Sequence, residues 1–418
     1  MKIGIFVSEF PALSETFILN QITGLIRRGH TIEISAVKRG DTSKMHDDVA
    51  SYRLLDCTHY DDVPRSWLRR TGGAARRVAQ WGHRNVAATA DSLNVVRHGK
   101  AALNLSVLYQ RLPAARRTQR YDVIHCHYGP NALRALGQRG FGALNGPIVT
   151  SFHGYDLNAF PEVHGLDVYD ELFRSGTLFT VGSEFMRESL VAIGAPAARI
   201  VKLPAGVDLQ FFQFSERCSP KDGPLRLLSV ARLVEVKGIR YALQAVALLA
   251  QRFPRLRYVV AGGGPLRAEL EAYALDLGIV DNVHFAGAVT QDEVRALYQE
   301  AHIFLLPSIA TGAGEEEGQA LVLAEAQAAG LPVVASAVGG IAESIDPGIS
   351  GFLVPQRDAD ATAAAVTQLV ERSEQWGAIG RAGRHVAASR FDNMKLNQRL
   401  IEIYQQAITS PVLQQRQS

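Results

Sequence analysis

What most constrains this chain is that one pattern begins in it twice: a short apolar run of strand length, a stretch with helical periodicity, then another short apolar run. The first round opens at the N-terminus. Residues 2–7 read as a strand. From about 14 to 28, Ile18, Ile22, Leu25 and Ile26 share one helical face and Gly29 stops it, and 31–37 read as a second strand. A strand–helix–strand unit of this size is the opening of a doubly wound parallel sheet. After an arginine-rich excursion the alternation resumes, with strands expected at 122–126, 147–151, 178–181 and 200–203. The second round opens after Pro224. Strands are expected at 225–230, 257–261, 283–286, 303–306 and 332–335, with helices at 238–252, at 265–277 and up to about 329.

The expected organisation is therefore α/β, with two Rossmann-like domains at 1–205 and 225–390. A polar, turn-rich linker lies at 206–224, and a closing helix and tail at 391–418. Two such domains on a short linker form a cleft at the carboxyl ends of their strands, the usual ligand position in open α/β sheets. The length agrees, since 418 residues exceed the ~250–300 at which one core stops growing. A net charge of +3 names no partner. Three distant cysteines, Cys57, Cys126 and Cys218, fit a reducing compartment better than a disulfide framework or a zinc site. The first ten residues read as a strand rather than a secretion signal, and no apolar run approaches the ~18 residues of a membrane span. The expected location is cytoplasmic, free or peripheral to the inner face of the plasma membrane.

The sharpest chemical signal is Glu317-Gly318-Gln319-Ala320-Leu321-Val322-Leu323-Ala324-Glu325. Two glutamates at this interval on one helix stand ~12 Å apart along the axis and ~80° apart around it. That is comparable to the sugar-to-ribose span of a nucleotide diphosphate sugar, and the helix N-terminus between them offers N–H groups and a positive dipole to a diphosphate. Taken alone, the spacing also fits an acidic first turn and one surface glutamate. Upstream, Arg232 at a strand end and Lys237 at a helix start put a planar fork and a point charge at the carboxyl edge of the sheet. Such a pair can neutralise a leaving diphosphate without a metal.

These residues occur in a telling order: Arg232 and Lys237-Gly238, then Ala261-Gly262-Gly263-Gly264-Pro265, then Asn282 to Gly287, then the Glu317–Glu325 interval with its Gly330-Leu331-Pro332-Val333-Val334 tail. In this the chain resembles the retaining glycosyltransferases of family 4, with the GT-B architecture of two Rossmann-like domains facing across a cleft. The pattern is closest to exopolysaccharide transferases of the colanic-acid type. The resemblance implies that Arg232 and Lys237 bind the diphosphate, that Glu325 holds the ribose, and that Gly263 and the stretch at Gly287 line the nucleotide. Glu317 and the backbone of Gly318, Gln319, Ala320 and Leu321 would face sugar and phosphates. Because Glu315, Glu316 and Glu317 form a run, a shifted loop could put Glu316 in the place of Glu317. The glycine turn at 262–264 is not GxGxxG, and no such fingerprint follows the first strand, which disfavours a nicotinamide dehydrogenase.

In the first domain, His153 ends a strand, and the resemblance places a histidine there beside the reacting sugar. Asp156 could orient it or touch the acceptor. His125 and His127 share a face of one strand, but with no third ligand evident packing is the simpler reading, with His127 at the edge of the cleft. Asp358-Ala359-Asp360 looks like a DxD metal motif yet opens a helix, so a cap explains it better. No metal and no cofactor is expected beyond the donor substrate. Ser14 suits a helix cap and Glu15 its first turn, with an acceptor or phosphate contact equally open.

Residues 65–120 carry twelve Arg/Lys against one acid, Asp91, interleaved with Trp67, Trp81, Leu68, Val78, Leu103, Leu105, Val107 and Leu108. A solvated insertion, an anionic membrane or nucleic acid could each satisfy that charge. With no RNA or DNA module present, the membrane, where a lipid-linked acceptor resides, is the expected partner. The expected activity is transfer of a hexose from UDP-hexose or GDP-mannose to a glycan or lipid-linked acceptor. A nucleotide-sugar epimerase of the same architecture and a non-catalytic nucleotide-sugar-binding subunit are the alternatives.

Overall fold

The structure is a computed structural model and describes residues 1–12, 15–42, 45–61, 63–64, 66–112, 119–220 and 223–410. The chain divides into two compact units: 1–181 with 189–202 and 397 onward, and 182–188 with 203–396.

In the first unit the strands are β1 Lys2–Phe10, β2 Thr31–Arg39, β3 Thr58–Tyr60, β4 Gln119–Arg120, β5 Val123–His127, β6 Leu144–Asn145, β7 Ile148–Ser151, β8 Leu178–Val181 and β9 Ile200–Lys202. Seven of them form one sheet in the order β3-β2-β1-β5-β7-β8-β9, and β4 pairs with β6. The ladders are parallel, with Ile3 level with Ile32 on one side and Val123 on the other. The residues of β5, β7 and β8 are buried throughout, as parallel strands covered on both faces must be. The helix Thr16–Arg27 buries Ile18, Leu19, Ile22 and Leu25; of the expected face Ile18, Ile22 and Leu25 are buried, while Leu19 joins them and Ile26 is only partly covered.

The second unit carries β10 Arg226–Val230, β11 Arg257–Ala261, β12 Val283–Gly287, β13 Ile303–Leu306, β14 Val333–Ser336 and β15 Phe352–Val354, in the order β12-β11-β10-β13-β14-β15. Alternate residues serve opposite layers. Leu227, Ile303 and Leu305 join one core with Ala242, Leu243 and Val246 of helix Ile239–Arg252, while Leu228, Phe304 and Leu306 join the other with Leu323 and Ala324. Both expected doubly wound sheets are present. The three-residue edge strands β3 and β15 are too short to leave a periodic signal.

The expected linker at 206–224 belongs to the second unit instead. Val207 and Phe212 are buried in its core, and the guanidinium of Arg217 donates to the carbonyls of Tyr298 (2.7 Å) and Ala329 (3.1 Å). At the other end the chain rejoins the first unit from Asn397, whose side chain fills the space a side chain at Gly24 would need.

Among its described residues the basic segment folds as five α-helices, Trp67–Trp81, Val86–Ser92, Val95–His98, Lys100–Leu103 and Ser106–Arg111. They bury a small core of their own, with Trp81, Leu108, Tyr109 and Leu112 packed beside Phe141, and Val78 and Leu105 against it. Trp81, Val78, Leu105, Val107 and Leu108 therefore face inward and are not free for a membrane. Much of the charge is also internal. Asp91 accepts from Arg97 (2.8 Å) and Arg111 (2.7 Å), Arg70 holds the carbonyl of Asn104, and Arg84 lies over the Trp81 ring. Trp67, Leu68 and Leu103 remain exposed. No helix among the described residues is long and apolar enough to cross a membrane.

Trp81 is 1% exposed and Trp67 56%. Trp81→Ala is expected to cost the helical insertion about 3–5 kcal/mol and Trp67→Ala less than about 0.5 kcal/mol, read as faster amide hydrogen exchange across 67–112 in the first variant alone.

Candidate active site

In the second unit the candidate residues gather where the strands end. Beyond β10 the ladder continues into the loops, with Ala231 N–H donating to Ala261 and Leu233 N–H to Gly263, both at 2.9 Å. A Cβ at Gly262 would stand 1.9 Å from the Ala231 oxygen and one at Gly264 2.4 Å from that of Leu233, so those two glycines exist for the close approach of loops. Gly263 between them meets nothing nearer than Ala288 at 3.9 Å. Gly287 ends β12, its carbonyl accepting from Gly262 N–H at 2.7 Å.

Lys237 ends a short turn, Glu235–Lys237. At Gly238 φ is +59°, and a Cβ there would fall 1.9 Å from the Pro307 oxygen just past β13. Ile309 N–H donates to Val236 at 2.9 Å, so two loops are clamped together. The clamp delivers the Lys237 ammonium to the Glu317 carboxylate, an ion pair only 14% and 11% exposed, to which Ser308 Oγ also donates at 3.4 Å. The Glu317 carbonyl in turn accepts from Gly340 N–H at 2.8 Å. The pairing falls on Glu317, not on Glu316. Arg232 is exposed and pairs with no side chain among the described residues.

One expectation is corrected here. Glu317 and Glu325 do not share a helix: the helix runs Leu321–Ala328, and Glu317 belongs to the loop before it. That loop is shaped by packing rather than by helix propensity. Gly318 leaves room for Met186 and its carbonyl accepts from Ser183 Oγ at 2.7 Å, while the Gln319 amide both accepts from and donates to the Ala205 backbone, at 2.8 and 3.0 Å. Ala320 is buried at the helix start, and no side chain caps the helix. The N–H groups from Gly318 to Val322 have no acceptor among the described residues. Glu325 is 7% exposed and accepts from the Tyr298 hydroxyl at 3.1 Å; burial pushes its carboxyl up to about 7.

The first unit brings together three histidines. His125 and His127 lie on β5, and His153 follows its neighbour β7. His127 Nδ1 and His153 Nε2 share a hydrogen bond at 3.2 Å with rings stacked at 5.4 Å, and the His125 ring lies 4.3 Å from that of His127. His125 is held by the Ser151 and Tyr404 hydroxyls, each at 2.7 Å. Phe17 and Tyr128 flank His153 at 4.9 and 4.7 Å. Burial pushes the imidazoles of His125 and His153 down to about 3, and that of His127 well below its usual range, so all three rings are neutral. His127 is fully buried. Asp156 is also fully buried. Its carboxylate accepts from the backbone N–H of His153 (2.9 Å), Gly154 (3.0 Å) and Gly129 (2.9 Å), so it braces the loop instead of touching an imidazole or an acceptor, and burial pushes its carboxyl up to about 6.

Ser14 lies outside the described residues. Glu15 occupies the cap position before Thr16 rather than the first turn, with its carboxyl raised by burial and hydrogen-bonded by Tyr128. Asp358 caps the helix Ala359–Glu371 by accepting from Ala361 N–H at 2.7 Å, as expected of a cap. Sequence reasoning missed Ser308, Tyr298, Tyr128 and Tyr404, lone residues carried by unremarkable strand ends and helices.

Two family models match adjoining stretches of the chain: Glycosyltransferase Family 4 over 14–211 and Glycosyl transferases group 1 over 212–386. A protein of Salmonella typhimurium, provisionally named the colanic acid biosynthesis glycosyltransferase WcaL, is 35% identical over 97% of this chain and 100% of its own. The chain is a family 4 glycosyltransferase. A Mycolicibacterium smegmatis relative, named a GDP-mannose-dependent alpha-(1-6)-phosphatidylinositol monomannoside mannosyltransferase, is 31% identical over 66% of this chain and 72% of its own. The fold is that of GT-B enzymes. The crystal structure of Anabaena Alr3699/HepE in complex with UDP-glucose superposes with a TM-score of 0.69 at 19% identity, covering 96% of this chain and 98% of that one.

For this glycosyltransferase, Asp156→Ala would leave three backbone donors without their acceptor. Each orphaned group costs about 1–3 kcal/mol, so the first unit should lose several degrees of thermal stability, seen by calorimetry as a downward shift of one transition.

Proposed function

We propose that this glycosyltransferase is a retaining, metal-independent hexosyltransferase. It takes its sugar from a nucleotide diphosphate donor, UDP-hexose or GDP-mannose, and passes it to a glycan or lipid-linked oligosaccharide during exopolysaccharide synthesis. The observation that carries this is the Lys237–Glu317 pair. It puts a nearly buried ammonium at the carboxyl edge of the second sheet, in the same unit as a helix start whose N–H groups are uncommitted. A fixed cation and free backbone donors are what a departing diphosphate needs. The Salmonella relative's name supports the exopolysaccharide setting, while the mycobacterial relative and the UDP-glucose complex support the donor class and leave the base open between guanine and uracil.

In the reaction so proposed, the bond from the anomeric carbon to the β-phosphate oxygen breaks and its electron pair leaves with the nucleoside diphosphate. Arg232, Lys237 and the N–H groups of 318–322 stabilise that charge. The acceptor hydroxyl forms the new C–O bond on the same face, and its proton passes to the departing phosphate oxygen. Glu317 holds Lys237 in place and offers its second oxygen to sugar hydroxyls, Glu325 serves the ribose diol, Gly263 and Gly287 line the nucleotide, and His153 contacts the transferring sugar.

Losing one fixed charge at the transition state costs about 10²–10³-fold in kcat. Lys237→Ala should show that loss with its circular-dichroism spectrum intact, and wild-type turnover should persist in EDTA. Near-normal turnover of the variant, or abolition by EDTA, contradicts the proposal. Donor alone separates the rivals: an epimerase converts it without acceptor, and a binding subunit releases no nucleotide under any condition.

We also place the enzyme in the cytoplasm, against an anionic membrane surface through the helical insertion. Trp67, Leu68 and Val96 are 56%, 82% and 99% exposed in a segment that also exposes Arg69, Arg76 and Lys100. Exposed apolar side chains and cations on one segment suit anionic lipid. The enzyme should float with phosphatidylglycerol vesicles at low salt and not with phosphatidylcholine, and the double variant Trp67→Ser, Leu68→Ser should lose that binding. Equal binding by the variant would remove the insertion from the account.

A further inference from the structure

The histidine cluster of the first unit holds an asymmetry that decides which hydrogen His153 carries. The bond between His127 Nδ1 and His153 Nε2 at 3.2 Å requires one hydrogen, on one of the two atoms. Both rings are neutral, so each has only one N–H to place. If His153 Nε2 carried it, His127 would accept at Nδ1 and carry its own hydrogen on Nε2. But His127 Nε2 is sealed from solvent and has no hydrogen-bond partner among the described residues. A buried N–H with no acceptor is among the rarest defects in folded proteins, and an acceptor lacking a donor is better tolerated. The cheaper arrangement puts the hydrogen on His127 Nδ1, donates it to His153 Nε2, and leaves His127 Nε2 as a bare lone pair.

We propose that His127 is a positioning residue that fixes His153 as the Nδ1–H tautomer, so that His153 presents a hydrogen-bond donor, and not a base, to its ligand. His153 Nδ1 makes no hydrogen bond among the described residues and is not one of the sealed polar atoms, so it is the nitrogen left for a ligand. The stacked contact with His127 and the flanking rings of Phe17 and Tyr128 leave the imidazole little freedom to turn. His125 does not compete for the hydrogen, because its two nitrogens are already taken up by the Ser151 and Tyr404 hydroxyls, which can donate or accept. The ligand atom facing His153 must therefore be an acceptor, such as a sugar hydroxyl oxygen or a phosphoryl oxygen. This deepens the proposed role of His153 at the transferring sugar and rests on it for its catalytic consequence. An imidazole whose only open nitrogen already bears hydrogen cannot take the acceptor's proton, which agrees with its passing to the phosphate.

The test is a two-bond 1H–15N correlation spectrum of the full-length enzyme labelled at histidine nitrogen, with the His153 signals assigned by their loss in His153→Ala. The expected spectrum has a protonated-type nitrogen at Nδ1 and a bare-type nitrogen at Nε2 of His153. The reverse pattern in the wild type overturns the proposal whatever the turnover. His127→Leu removes the bond that fixes the tautomer, so the two His153 nitrogen signals should move toward each other, with a loss of kcat of about tenfold or more, the worth of one hydrogen bond, at little changed KM for the donor. His127→Asn, whose amide nitrogen reaches the place of Nδ1, should restore both tautomer and rate. If His153 is Nδ1–H but His153→Ala turns over normally, the tautomer stands and the role of His153 at the sugar falls.

Discussion

The second unit is organised around one ion pair that its sequence keeps 80 residues apart. Lys237 and Glu317 meet because two loops leaving neighbouring strands are pressed together, and the pressing depends on positions where a side chain would not fit. Gly238 meets the Pro307 carbonyl, Gly339 meets that of Glu317, and Gly340 donates to the same oxygen. A nearly buried charged pair is a poor source of stability, since desolvation offsets most of the attraction. Its value lies elsewhere. The carboxylate holds the ammonium in one position before any ligand arrives, and a preorganised charge costs no reorganisation when a leaving group develops its own.

The first unit solves a different problem with the opposite chemistry. Its candidate group is an uncharged imidazole, kept neutral by burial and steered by another imidazole. Asp156 is the only carboxylate that touches the His153 loop through a described hydrogen bond, and it is spent on backbone N–H groups. The charge that could have turned His153 into an imidazolium or a base is used to hold its loop in shape. The second unit therefore carries a fixed charge and the first a neutral hydrogen-bonding group.

Strands such as β8 and β13 were legible because they are buried throughout and read as continuous apolar runs; these and β11 lie where the sequence alone places them. The helix start after Glu317 was misread because acidic and small residues at 315–320 satisfy helical preference, while Met186, Ser183 and Ala205 claim that loop by packing. Trp81 carried a membrane expectation that its burial beside Phe141 removes, since an amphipathic stretch looks the same whether its apolar face meets lipid or protein. The histidine pair of β5 was visible as one face of a strand. Its link to His153 depends on β5 and β7 being neighbours, and its link to Tyr404 spans 279 residues, and neither is written in any local pattern.

The central claim is that Lys237, held by Glu317, is the anchor for the diphosphate. Calorimetric titration of the enzyme with a nucleoside diphosphate and the matching monophosphate tests it without any acceptor or turnover. One charge-assisted contact is worth about 1.5–3 kcal/mol, so the wild type should prefer the diphosphate, and Lys237→Met should lose about tenfold or more of that preference. A preference undiminished in Lys237→Met would place the diphosphate elsewhere and contradict the account.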